Sequence, residues 1–195
     1  MEGFYSSEEL KSLGLKAVGR DVLISKKASI YLPEKISIGD HVRIDDFCFL
    51  VGNITLENYI HISPYSSIHG TGGGTVTMKD FAGLSSYSTV YAASDEYSGE
   101  KMTNPLIDEE YRKVVCSDII MEKHSVVGVH SVLLPGAYLA EGTAIGAMSL
   151  VSKSTEAWGI YIGVPARRIK DRKKDCLYLE REFLRQKIEK KEFIV

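Results

Sequence analysis

Apolar residues return at every sixth position along most of the chain. The longest run is Val115, Met121, Val127, Leu133, Leu139, Ile145 and Val151. The same spacing recurs at Val18, Ile24 and Ile30, at Ile38, Ile44, Leu50, Leu56, Ile62 and Ile68, and at Met78, Leu84 and Val90. Four residues after the anchors of the long run stand Ser125, Ser131, Ala137, Thr143 and Ser149, all small. An amphipathic helix needs apolar residues three to four apart and a half-buried strand needs them two apart, so neither element fits. A period of six describes a short strand plus a turn, three units closing a triangular coil whose anchors stack inside from coil to coil. The pattern predicts an all-β parallel β-helix of about six coils. Gly39, Asp40, Gly52, Asn53, Gly128, His130 and Gly146 fall between strands, and residues of these types tolerate tight or left-handed corners.

Two segments leave the period. Residues 91–114 lack anchors, are polar, and carry Gly99 and Pro105, so they read as a protruding loop, and a long loop in a compact repeat is usually functional. From about Lys170 onward, Leu177, Leu179, Phe183, Leu184 and Ile188 alternate with charges, which predicts a C-terminal helix over 170–195 lying against the last coil as a cap. Residues 1–17 include Ser7-Glu8-Glu9-Leu10, the signature of a short helical cap at the other end, leaving 18–169 as the solenoid. Gly72-Gly73-Gly74 lacks the context of a phosphate-binding loop and reads as a tight bend or bulge.

Composition narrows the function. With 195 residues the chain builds its core without staples, and a net charge of -2 supplies no basic field for nucleic acid. Three widely spaced cysteines, Cys48, Cys116 and Cys176, give no disulfide framework or zinc spacing. No apolar run is long enough for a membrane span or a secretion signal, so the expected location is cytoplasmic.

The segments IGDHVRI, MEKHSVVGVHSVLLPGAYLAEGTAIGAMSLVSK and YIGVPARRIK together resemble the hexapeptide-repeat acetyltransferases of the galactoside, maltose and O-antigen type over residues 18 to about 170. The resemblance implies a left-handed helix, a homotrimer with active sites between subunits, and acetyl-CoA as co-substrate with no metal. It places the pantetheine arm of CoA along Gly146 and Ala147, with a further contact around Val129. The CoA phosphates fall to Ser152, Lys153, Arg167, Arg168 and Lys170, whose cations suit charge-assisted hydrogen bonds. Where the family carries a catalytic histidine in the protruding loop, this chain has Ser94-Asp95. Asp95 is one candidate for the base that deprotonates the acceptor; His69, beside the Gly72 turn, is the other. Ser94, Tyr97 and Asn104 are candidates for binding a sugar acceptor, with Glu109 and Glu110 in the same loop.

The function implied is acyl transfer from CoA to the hydroxyl or amine of a sugar, a nucleotide-linked sugar or a surface-polysaccharide precursor. One rival is a γ-carbonic-anhydrase-like metal enzyme on the same fold, which needs three histidines on one zinc ion. Against it, His41, His124 and His130 read as corner residues and His61 as surface strand. The other rival is a non-catalytic binding or scaffold subunit, favoured by the altered base and opposed by Ala147, Lys153 and Arg167.

Overall fold

A computed structural model describes residues 3–192. The chain winds as a left-handed parallel β-helix whose three walls are parallel sheets. Wall one stacks Ala17–Val18, Ile36–Ile38, Ile54–Leu56, Val76–Met78, Ile119–Met121 and Tyr138–Leu139. Wall two stacks Leu23–Ile24, Arg43–Ile44, His61–Ile62, Gly83–Leu84, Val126–Val127, Ala144–Ile145 and Gly159–Ile162. Wall three stacks Ser29–Tyr31, Phe49–Gly52, Ser67–Gly70, Thr89–Tyr91, Val132–Leu133 and Leu150–Val151. Six coils are therefore complete, and wall two begins a seventh.

The anchors are the core. From Ile38 to Val90 and from Met121 to Val151 every predicted anchor is buried, in register with its counterpart one coil away, for example Leu84 with Ile62 and Val127. The small column is buried too, because Ser125, Ser131, Ala137, Thr143 and Ser149 sit inside the corners, where a larger side chain would not fit. Several of these hydroxyls bond the neighbouring coil: Ser131 Oγ donates to the Gly146 carbonyl at 2.9 Å and Ser88 Oγ to that of Gly128 at 3.0 Å. Cys48 belongs to the same layer, and burial pushes its thiol up to about 11, so it stays protonated.

Val115 is the exception among the anchors. It lies on an antiparallel hairpin outside the solenoid, 46% exposed, paired with Ser94. The run Val114-Val115-Cys116 is apolar and in phase by coincidence; the coil resumes where the Ser117 amide bonds the Ala92 carbonyl at 3.0 Å.

The corners correct the sequence reading most. Left-handed backbone is found at Gly52 and His130, but Gly39, Gly128 and Gly146 do not adopt it. Those three are small because another strand presses on them: a Cβ on Gly128 would stand 2.6 Å from the Ala147 amide nitrogen, and one on Gly146 2.6 Å from Ile162 Cγ2. Three residues before each anchor, the left-handed position is instead held by His41, Tyr59, Phe81, His124 and Trp158 between walls one and two, and by Phe47, Tyr65, Tyr87, His130 and Met148 between walls two and three. The rings stack along the solenoid at 4.6 Å for His41 on Tyr59, 4.8 Å for Tyr59 on Phe81 and 4.8 Å for Tyr65 on Tyr87. A left-handed L-residue costs about 1–2 kcal/mol, and an aromatic stack returns roughly 0.5–1.5 kcal/mol, so each ladder nearly offsets its own strain.

Helix α1 (Ser7–Ser12) carries a capping box between Ser6 and Glu9 and buries Leu10 at the mouth of the first coil. At the other end the structure departs from the predicted boundary. Residues Arg167–Asp171 form a strand antiparallel to Gly159–Ile162, and helix α2 starts only at Asp175 and runs to Glu192. Nor does α2 cap the last coil: it turns back along the corner between walls one and two, setting Phe183 edge-on to Tyr59 at 5.4 Å and Glu180 against Lys123 and His124 at 2.6 and 2.7 Å. Trp158, held by Lys174 above its ring and by its carbonyl bond to the Arg172 amide, closes that end instead.

Candidate active site

The hairpin is built where the period stops. Ala93–Asp95 pairs with Val114–Cys116 in the register Ala93 with Cys116 and Asp95 with Val114, and the Glu96 amide extends it to the Lys113 carbonyl. Its base rests on the glycine turn predicted as a bend: Gly72 has φ 63, and a Cβ there would lie 2.8 Å from Ala93 Cβ. Only a residue without a side chain lets the hairpin seat this closely.

Between hairpin and wall three lies a cavity of about 1200 Å³ bounded by Thr71, Tyr91, Ser94, Asp95, Tyr97, Glu109, Arg112, Val132 and Leu134 among others. Four of the predicted residues meet here: Ser94, Asp95, Tyr97 and Glu109, with Ser94 Oγ 3.1 Å from the Tyr97 hydroxyl. Asn104 does not join them; its Oδ1 accepts the Leu106 amide at 2.9 Å and closes its own turn. His69 stands behind the cavity wall, stacked on Tyr91 at 4.1 Å and tilted on Phe49 at 5.2 Å, with no hydrogen-bond partner for its ring among the described residues. Burial lowers its pKa below the usual 6.5, so the ring is neutral at pH 7.

The CoA candidates form two groups. Ser152, Lys153, Arg167 and Arg168 border a smaller cavity of about 170 Å³ at the end of the solenoid, and Lys170 follows on the antiparallel strand opposite Ile160. Val129, Gly146 and Ala147 lie together at the corner between walls two and three, where the Met148 amide bonds the Val129 carbonyl at 2.8 Å. Arg168 is already paired with Asp171 and, at 3.3 Å, with Glu156, and these carboxylates raise its pKa, the Asp171 hydrogen bond first. At Gly146 a Cβ would meet Ile162 Cγ2, so the neighbouring strand by itself demands a small residue there. The two cavities are lined from neighbouring strands of wall three, since Val132 beside the large one pairs with Leu150 beside the small one, strands roughly 4.8 Å apart.

Sequence reasoning missed Tyr91, Thr71 and Arg112: Tyr91 and Thr71 stand at the ends of wall-three strands that the hairpin overhangs, and Arg112 reaches the cavity along the return arm, which no spacing in the chain encodes. No three His, Cys, Asp or Glu side chains converge as metal ligands, and no helix is long and apolar enough to cross a membrane, among the described residues.

No family model matches the chain. It is 44% identical over 178 residues to dTDP-4-amino-4,6-dideoxy-D-glucose acyltransferase of Escherichia coli, covering 90% of this chain and 92% of that one. AntD, an N-acyltransferase of Bacillus cereus solved with dTDP and 3-hydroxybutyryl-CoA, is 48% identical with a TM-score of 0.92 over 95% of this chain and 98% of its own. WbbJ of Escherichia coli K12, named for O-acetyl transfer in lipopolysaccharide biosynthesis, is 24% identical over 75% of this chain and 74% of its own. With its hexapeptide coils, its hairpin and these relatives, the chain belongs to the hexapeptide-repeat acetyltransferase family of acyl-CoA-dependent acyltransferases.

Proposed function

We propose that the protein transfers an acyl group from acyl-CoA to the amino group of a nucleotide-linked aminodeoxysugar of the dTDP-4-amino-4,6-dideoxyglucose type. The observation that carries this reading is the placement of Asp95 in a large cavity whose floor strand is hydrogen-bonded to the strand leading into Ser152 and Lys153. AntD has been solved with that aminosugar nucleotide and CoA. Its solved forms include replacements of a serine and of an aspartate ten positions apart, the separation of Ser85 and Asp95 here.

In the proposed reaction the acceptor nitrogen attacks the thioester carbonyl and forms the C–N bond. The proton it loses passes to the Asp95 carboxylate, the tetrahedral intermediate collapses with cleavage of the C–S bond, and CoA leaves as a thiolate that takes up a proton. Ser94 and Tyr97 bind the sugar hydroxyls and Asn104 shapes the loop. Val129, Gly146 and Ala147 border the pantetheine path; Ser152, Lys153, Arg167 and Lys170 meet the CoA phosphates. Arg168 holds the end strand through its carboxylates, and His69 acts as a spacer behind Tyr91. The donor is acetyl-CoA or a short 3-hydroxyacyl-CoA, and the compartment is the cytoplasm, where both substrates are made.

A homotrimer with sites between protomers completes the reading. Ser85 precedes wall three and Asp95 follows it, so the two stand at opposite ends of that wall in one chain. The ladder between walls two and three also needs a cover: Phe47, Tyr65 and Tyr87 are 47–49% exposed and Met148 72%, whereas α2 lies over the other ladder.

The test is thiol release from acetyl-CoA and 3-hydroxybutyryl-CoA with dTDP-4-amino-4,6-dideoxyglucose as acceptor, alongside its 4-hydroxyl counterpart. Turnover confined to the amine supports the proposal. Equal turnover of the hydroxyl acceptor, or none of either, sinks it.

A further inference from the structure

Arg112 lines the large cavity from the return arm of the hairpin. Arg20, Arg43 and Arg172 are each hydrogen-bonded directly to a carboxylate or carbonyl. Arg112 differs. Its side chain is only 22% exposed, its Nε is buried without an acceptor among the described residues, and its nearest carboxylate is that of Glu109 at 3.8 Å, itself 94% exposed. A buried charged donor left unsatisfied is costly, and a native structure that tolerates one uses it for something.

The hairpin register says what that use is. Asp95 pairs with Val114, and Arg112 stands two residues beyond Val114 on the return arm, in extended backbone and bridged to Met102. Side chains two apart on a strand share a face, and Asp95, Tyr97, Val114 and Arg112 all border the cavity. The cavity thus presents a carboxylate and a guanidinium on one face, separated along the hairpin by about 7 Å. That polarity fits a ligand cationic at one end and anionic at the other, and the spacing is comparable to a pyranose ring with its glycosidic oxygen. The Nε–H and Nη–H edge of a guanidinium offers the paired donors that grip a phosphate.

We infer that Arg112 is the anion anchor of the acceptor site: it binds the diphosphate of a nucleotide-linked aminosugar and so sets which end of the sugar reaches Asp95. The inference rests on the aminosugar-nucleotide reading above, but its test is a binding measurement that requires no turnover. Calorimetry with dTDP as probe compares the wild type with Arg112→Gln and Arg112→Lys, CoA binding and melting temperature serving as controls for folding. Removing a charge-assisted hydrogen bond weakens binding about 10- to 100-fold, so Arg112→Gln should lose dTDP affinity by that factor, with CoA affinity held. Arg112→Lys should recover part of it, because it keeps the charge but not the fork. If the wild type binds dTDP and both variants bind it equally well, or if the wild type binds no dTDP, the inference is overturned. If dTDP binding depends on Arg112 but no aminosugar is acylated, the anchor stands and the proposed reaction fails.

Discussion

Gly142 shows how narrow the tolerance at a corner is. Its φ of 69 is the left-handed conformation its neighbours in the column adopt with rings, and a Cβ there would lie 2.4 Å from Cδ2 of Trp158. The indole lies over the glycine and reaches to within 6.2 Å of His124, so the ladder skips one rung. Gly142→Ala should cost about 1–3 kcal/mol by overpacking and shift the emission of Trp158, the single tryptophan, in a thermal-melt and fluorescence measurement. At the proposed reaction centre, Asp95→Asn should lower kcat about 100-fold or more, the usual size of a general-base effect, while leaving the CoA dissociation constant in calorimetry unchanged. His69→Phe should keep kcat within about threefold, since the position is a ring between Phe49 and Tyr91 and phenylalanine preserves the stack. A loss as large as that of Asp95→Asn would restore histidine as the base. At this scale the sequence was readable wherever one chemical demand repeats: Ile62 and Leu133 meet an identical apolar interior. It misled at the corners, because left-handed backbone is associated with glycine and asparagine, whereas Tyr59 and Phe81 tolerate it through stacking with the coil above.

Helix α2 depends on a small polar latch. Burial favours protonation of Glu180, yet the hydrogen bonds from Lys123 and His124 outweigh it and hold the carboxyl below its usual 4.5. A depressed carboxyl pKa stabilises the folded state in full above about pH 4.5, and the contribution is lost as the pH falls through the lower folded value. Protection factors of the α2 amides, which correct for the intrinsic pH dependence of exchange, should therefore be high at pH 6 and fall as the pH drops below 4.5, before the walls open, and Glu180→Gln should remove that pH dependence. The amphipathic pattern of Leu177, Phe183 and Ile188 foretold the helix, but not its path, because the receiving surface is a ladder of rings from distant coils. The hairpin was legible only as an interruption: nothing in residues 91–114 encodes that Asp95 faces Val114, so Arg112 could not be placed before the register was known.

As a whole the molecule is a one-dimensional stack, each coil meeting only the coils above and below. An interior truncation such as Ile62→Ala, in a coil with neighbours on both sides, should cost about 2–5 kcal/mol in chemical denaturation. The same substitution at Ile30, a half-buried anchor of the first coil, should cost clearly less, because one side of that coil has only α1 and the entering chain to pack against. Equal losses at both positions would contradict nearest-neighbour stacking. The six-residue period foretold this architecture well, since its anchors are the very contacts that join coils; the oligomeric state and the acceptor were beyond its reach, because neither is written in a repeating position.

The pairing of Val132 with Leu150 turns the rise of the solenoid into a ruler. In the proposed reaction the acceptor cavity and the donor residues are lined from adjacent strands because the hairpin leaves after the fourth coil and two coils remain below it. Adding or deleting a coil on that side would displace the thioester from the amine by a full strand spacing, roughly 4.8 Å, more than a covalent reaction can span. Coils ahead of the hairpin carry no such constraint. Under the proposed reaction, coils can be gained or lost ahead of the hairpin without moving the two groups of residues apart, while the number of turns that follow it sets their separation.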